Sequence, residues 1–312
     1  TGYLLGERGR GMNIMFQMLN ETRLEVGIMG LGGSSAALQF AVDYARTRLQ
    51  GVHFSKMFET NAPKVPIIEH PDVTRMLMGM KALVEGQRML SYYAAMQIDL
   101  AKLLEGEESR EARSLVDVLI PLVKAGNAEN TWHITAEAIQ VHGGYGYCSE
   151  YPVEQLAVDC KSLSIVEGTN GIQSLDLVMR KILLNADQKN YKVLKSRIFQ
   201  TIEKANGIVE DVYRNMLLTG LERMDSTLET MKKNMDEGRY HTLLLNVDPV
   251  RRAFFDLMLG WMHLWCLALV RPKLSSLTAG AKGEALIEIL ERDAEAAFYY
   301  GKACASEFWL AT

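Results

Sequence analysis

Apolar residues recur at helical spacing through most of the chain, and no convincing stretch alternates as a half-buried strand would. Met12, Met15, Phe16 and Leu19 form one stripe, and Leu38, Val42, Ala45 and Leu49 form a second, which predicts two helices. Gly30, Gly32 and Gly33 lie between the stripes, either as a break or as small residues where neighbouring helices approach closely. One long helix is also compatible with this pattern. Residues 51–66 mix Gly, Ser, Asn and Pro without a period and read as a loop. Pro71 then suits the first turn of a helix running past Met80 and Leu90 toward Leu100. EGEESREAR, residues 105–113, reads as a charged connection. Helical spacing returns at Leu115, Leu119, Leu122 and Val123 and continues through Trp132, Ala136 and Ile139.

LDLVMRKILL, from Leu175 to Leu184, is again helical, and the polar run NADQKN from Asn185 to Asn190 is the best candidate boundary. Beyond it, amphipathic helices are expected over 193–221, 227–245, 250–270 and 284–309. The predicted fold class is all-α, with a helical domain over residues 12–184 and a second one over 190–312.

A chain of 312 residues with 48% hydrophobic content can bury the cores of about two domains. Its formal charge of −4 gives no overall pull toward nucleic acid or an anionic membrane. Cys148, Cys160, Cys266 and Cys304 are scattered, with no CxxC pair, so a reducing, cytoplasmic compartment is expected. The chain starts at Thr1, without a basic and apolar leader, and the natural N-terminus is expected to lie upstream. The most apolar stretch, Ala253–Val270, is interrupted by Asp256, Gly260 and His263; it reads as a buried helix and not as a membrane span. Arg251, Arg252 and Lys282 read as solvated charges. His133 and Glu137, one turn apart, lack the companions of a metal site and read as a surface pair, and His70 reads as a residue ordering a helix start. No metal is expected.

The chemistry concentrates in QVHGGYGYCSEYPVEQLAVDCKSLSIVEGTNGIQ, residues 140–173. Glycines after a helix let backbone approach a phosphate or sugar, but they also simply end helices. Glu167 before Gly168 and Thr169 is equally ambiguous alone, since Thr169 or Asn170 could cap the next helix while the carboxylate lies in solvent. The ordered combination of Gln-x-His-Gly-Gly-x-Gly, Glu-Tyr-Pro-Val-Glu and Glu-Gly-Thr-Asn-x-Ile-Gln carries more weight. It resembles the C-terminal helical domain of acyl-CoA dehydrogenases, an all-α four-helix bundle. Upstream, GYLLGERGRGM, residues 2–12, looks like the end of that family's middle β domain, which is placed at residues 1–11, and MLNETRLEVG like the helix lining its acyl pocket. YARTRLQG is similar to the stretch reaching a neighbouring subunit's cofactor. The region after about residue 190 resembles the tail of larger members, including those acting on 3-methylthiopropionyl-CoA.

The resemblance implies FAD as cofactor, an acyl-CoA substrate, an electron-transfer flavoprotein as acceptor, and a homodimer or homotetramer. It gives Glu167 the role of the base that removes the acyl α-proton while hydride leaves the β-carbon for the flavin. A carboxylate suits that task, because a bound acyl chain that empties the pocket of water strengthens it as a base. The backbone N–H of Glu167 would polarise the thioester carbonyl. Arg48, Gln50, Gln140, Gly143, Gly144 and Thr169 fall at cofactor positions, with Arg46 a weaker substitute for Arg48. Thr22, Arg23, Val166 and Gly168 fall at the acyl pocket, where Thr22 stands at the place of the alternative base of some relatives and cannot replace it. Gly171 stands where many members have a polar side chain and so is given no side-chain contact, and Val166 replaces the usual aromatic residue before the base, which opens the acyl-chain packing and the chain-length preference. By the same resemblance this chain is a C-terminal portion that alone would bind FAD weakly. The alternatives are an acyl-CoA oxidase, which shares the base, and a non-catalytic helical scaffold.

Overall fold

The computed structural model describes residues 2–312. Residues 2–10 contain only turns, and Thr1 and the side chain of Phe16 lie outside the described residues. α1 (Gly11–Thr47) is one helix of 37 residues where two were expected. The glycines are the reason. A methyl group at Gly30 would sit 3.0 Å from the Thr131 hydroxyl, and one at Gly33 would run into the Cys160 sulfur. They are therefore points of close helix approach, the second reading of their sequence, and α1 passes through them unbroken. Met12, Met15 and Met18, on the first turns, are exposed.

β1 (Leu49–Val52) and β2 (Lys64–Pro66) pair antiparallel across the segment expected to be loop, and Leu49, expected on a helical stripe, starts β1 because α1 ends at Thr47. This ribbon is the one sheet among the described residues, and the fold is all-α. α2 (Pro71–Leu103) starts on Pro71 in its first turn. α3 (Gly106–His142) absorbs the charged connection: Arg110 bridges to Glu107 at 2.7 Å, one turn away, so the charges decorate a helix start. α4 (Pro152–Lys161) and α5 (Asn170–Leu175) follow, and α5 continues through Leu183 with a wider, π-type winding.

The remaining helices are α6 (Lys189–Lys204), α7 (Asp211–Asp236), α8 (Tyr240–Leu245), α9 (Val247–Thr278), α10 (Gly283–Arg292) and α11 (Ala294–Ala311). The turn before α6 is held in place: the Asn185 side chain accepts from Asn190 N–H at 3.0 Å, and Asn190 donates onward to Asp117 of α3 and to Lys181 O. One buried apolar cluster runs from Leu90, Leu119 and Leu122 of α2 and α3 through Leu194 and Leu221 to Phe254, Phe255 and Trp261. A second, smaller cluster joins α1, α2 and the end of α3 around Ala41, Met80 and Ile134.

α9 is long and apolar enough to cross a membrane, yet Phe254, Phe255, Met258, Leu259 and Trp261 bury it among the other helices. Arg251 corrects its sequence reading. It is buried, not solvated, because α9 carries it onto Glu129 of α3 at 2.6 Å and Asp248 at 2.9 Å, with Ser174 of α5 also in reach. Arg252 stays exposed but pairs with the same two carboxylates.

Candidate active site

The first group of residues gathers where α3 ends. Gly143 stops the helix at φ 61 and ψ −145, a conformation a side chain resists, and its N–H returns to Gln140 O. No atom lies within 4 Å of the methyl position at Gly143 or Gly144, so this backbone faces open space. Gly146 does the opposite work: a methyl there would meet Ile139 O at 2.6 Å, which packs the turn against the helix it leaves.

Aromatic rings stiffen the turn. Tyr44 of α1 stacks on His142 with centroids 4.3 Å apart, and Tyr145 stacks on Tyr151 at 5.4 Å. Burial pushes His142 below and Tyr44 above their ordinary pKa. The Arg48 guanidinium lies 5.4 Å from the centre of the Tyr145 ring. His70 Nε2 meets Gln50 O at 2.7 Å and so fixes β1 to the start of α2. Together these residues wall an open cleft of about 700 Å³ that holds Arg48, Gln50, Gln140, Gly143 and Gly144, five of the positions anticipated in the sequence.

The second group sits on the turn between α4 and α5. Glu167 has φ 54 and Gly168 φ 90, two left-handed residues in succession that reverse the chain sharply. A side chain at Gly168 would crowd Gln173 Nε2 at 2.6 Å, and that amide donates to Glu167 O at 3.3 Å. Thr169 ends the turn by capping α5, its hydroxyl accepting from Ile172 N–H at 3.3 Å. The Glu167 side chain is exposed, flanked by exposed Ile165, Val166 and Ile172. The carboxylate thus stands in the open with three exposed apolar side chains close to it in the chain.

Beneath that turn lies a group the sequence reading missed. Lys124, fully buried in α3, donates to Leu163 O at 2.8 Å and to Gly168 O at 2.7 Å. Burial pushes its ammonium down to about 8; Arg23 adds repulsion and Glu167 opposes both. Its only sequence signal is a lysine inside the apolar run LIPLVKAGNA. Arg23 is itself buried, 3.3 Å from Asp176 at the end of α5. Neighbouring Thr22 turns its hydroxyl to Met18 O on its own helix. Glu167, Gly168 and Thr169 do not line the Arg48 cleft, so the anticipated residues fall into two separate clusters.

Residues 9–183 match the model of the acyl-CoA dehydrogenase C-terminal domain, more than half of the chain. The chain belongs to the acyl-CoA dehydrogenase family. It is 43% identical over 189 residues to a butyryl-CoA dehydrogenase of Syntrophomonas wolfei, covering 59% of this chain and 30% of that protein. It is 41% identical over 184 residues to 3-methylmercaptopropionyl-CoA dehydrogenase of Ruegeria pomeroyi, covering 59% and 31%. A broad-specificity linear acyl-CoA dehydrogenase of Mycobacterium tuberculosis is 30% identical over 99% of this chain and 49% of its own length. The chain thus spans at most about half of these relatives. In fold, ACDH-11 of Caenorhabditis elegans superimposes over 99% of this chain and 45% of that one with a TM-score of 0.67 at 19% identity. An acyl-CoA dehydrogenase of Bacillus anthracis does so over 99% and 51%, with a TM-score of 0.62 at 20% identity.

Proposed function

We propose that this chain forms the C-terminal domain of an FAD-dependent acyl-CoA dehydrogenase in which Glu167 is the catalytic base. The observation that carries the reading is Glu167 itself: an exposed carboxylate beside exposed Ile165, Val166 and Ile172, held by a left-handed turn over a buried cation. In the reaction the α-carbon C–H bond breaks and its proton passes to the Glu167 carboxylate, while the β-carbon loses hydride and the double bond forms. FAD, when bound, supplies the hydride acceptor. The Glu167 N–H and the exposed apolar residues beside it would orient the thioester and its chain, with Val166 and Gly168 shaping the pocket and Arg23 and Thr22 bordering it.

The second cluster suits a dinucleotide. Arg48 offers a cation, Gln50 and Gln140 offer polar side chains, and the bare backbone of Gly143 and Gly144 admits a phosphate or sugar closely. Glu167 does not line this cleft, which supports assigning the cleft to the cofactor of a neighbouring subunit. Thr169, beside the base, would touch the cofactor of its own protomer. A homodimer or homotetramer follows from this reading, as does an electron-transfer flavoprotein for reoxidation.

The test is anaerobic flavin bleaching of the full-length protein with a series of straight-chain saturated acyl-CoA thioesters. Wild type should bleach, and Glu167→Gln should retain flavin yet stay oxidised. A Glu167→Gln protein that bleaches at the wild-type rate refutes the base, and a full-length protein without flavin refutes the reading as a whole.

A further inference from the structure

We infer that Lys124 is a positioning residue for the base: its ammonium holds the turn that carries Glu167 by binding the two backbone carbonyls on either side of it. This rests on the reading of Glu167 given above. Leu163 O and Gly168 O bracket residues 164–167, and both converge on the one Nζ at 2.8 and 2.7 Å. The turn between them is otherwise tied locally: Ile165 and Val166 N–H both return to Ser162 O, Gln173 donates to Glu167 O, and Lys124 is the tie that reaches it from α3. The turn is neither helix nor strand at Ile165–Thr169, its side chains at Ile165, Val166 and Glu167 are exposed, and Glu167 sits at φ 54 without a glycine's freedom. A non-glycine residue persists there only when its surroundings over-determine it.

Lys124 supplies that determination from rigid ground. It projects from the middle of α3, where Leu119, Leu122, Val123 and Ala125 are all fully buried, so its position is set by core packing. Turning Gly168 O inward toward Nζ orients the Gly168–Thr169 peptide, and Gln173 holds the carbonyl of the preceding Glu167–Gly168 peptide at 3.3 Å. The carboxylate is therefore the free end of a clamped segment. The charge has a second effect. Arg23 and Glu167 are the charged groups facing Lys124, and Arg23 is engaged by Asp176, which leaves the ammonium field directed at the base. Burying a cation is unfavourable, and Lys124 offsets that only through the two carbonyls it binds and its attraction to Glu167.

The experiment uses full-length flavoprotein with Lys124→Met, which keeps the reach and removes the donors, and Lys124→Gln, which keeps a neutral donor. Three quantities are read: bound flavin per chain, the dissociation constant of the thioester that reduces wild type fastest, and the exchange of its α-hydrogen with solvent deuterium. With flavin content kept, exchange and flavin reduction should both slow by about 10- to 100-fold, the range expected for a base displaced by an ångström or less. Thioester affinity should stay within about threefold, the signature of an interaction expressed in the transition state. Wild-type exchange in either flavin-retaining variant overturns the inference, as does loss of flavin and fold in both, which would make Lys124 a packing residue. Glu167→Gln run in parallel separates the two claims: if it still exchanges the α-hydrogen, the base reading fails first.

Discussion

Lowering the pH should loosen the joint where His263 ties three helices together. On α9 the His263 ring is fully buried, with Nε2 3.1 Å from Ala82 O of α2 and Nδ1 3.0 Å from the Ser306 hydroxyl of α11. A carbonyl only accepts, so Nε2 carries the hydrogen and neutral Nδ1 accepts from Ser306. Protonating the ring would place a charge against Trp309 and reverse the serine's role. Burial accordingly depresses the imidazole from 6.5 to about 4, and neighbouring Lys302 adds to this while Ala82 O and Glu85 oppose it. The unfolded chain takes up this proton first, so the stability is complete above pH 6.5 and is lost as pH falls toward 4. At about 1.4 kcal/mol per tenfold difference in proton affinity, the whole effect is about 3 kcal/mol, of which about 2 kcal/mol is gone by pH 5. Urea unfolding followed by tryptophan fluorescence at pH 7 and pH 5 measures it. His263→Gln lowers stability at both pH values but should lose about 2 kcal/mol less than wild type between them. Equal losses in the two proteins, within about 0.5 kcal/mol, would refute the linkage.

Two further outcomes test the packing. Gly126→Ala should destabilise by about 1–2 kcal/mol despite the better helix propensity of alanine, because its methyl would run into the buried Phe255 ring; the urea midpoint checks this, and adding Phe255→Leu should recover most of the loss. Arg251→Met should cost about 3 kcal/mol by leaving Glu129 and Asp248 to Arg252 alone, whereas exposed Arg252→Met should cost under about 1 kcal/mol.

Helical periodicity carried the fold because long amphipathic helices repeat their signal over many turns. It faltered where identity depends on a neighbour. Gly30 and Gly33 read equally as breaks or contacts until Thr131 and Cys160, more than a hundred residues further along the chain, stand against them. Arg251 and Arg252 are adjacent and alike in sequence, and only the turn of α9 decides that one is buried and the other exposed. At the site, Gln140–Gly144 and Glu167–Thr169 stood out through the order of three short motifs, each of them ambiguous alone. Lys124 did not, since its meaning lies in two carbonyls some forty residues away and backbone carbonyls leave no trace in residue type.

The seat of Phe255 against Gly126 bears on how such proteins can be recombined. A bulky ring in the later helices is matched by a missing side chain in the earlier ones, inside one unbroken apolar cluster. The two stretches therefore behave as lock and key cut from the same blank. Grafting the last 120 or so residues of a relative onto this chain would succeed only where the donor brings a ring of the same size and place, or where position 126 is recut to receive what it brings.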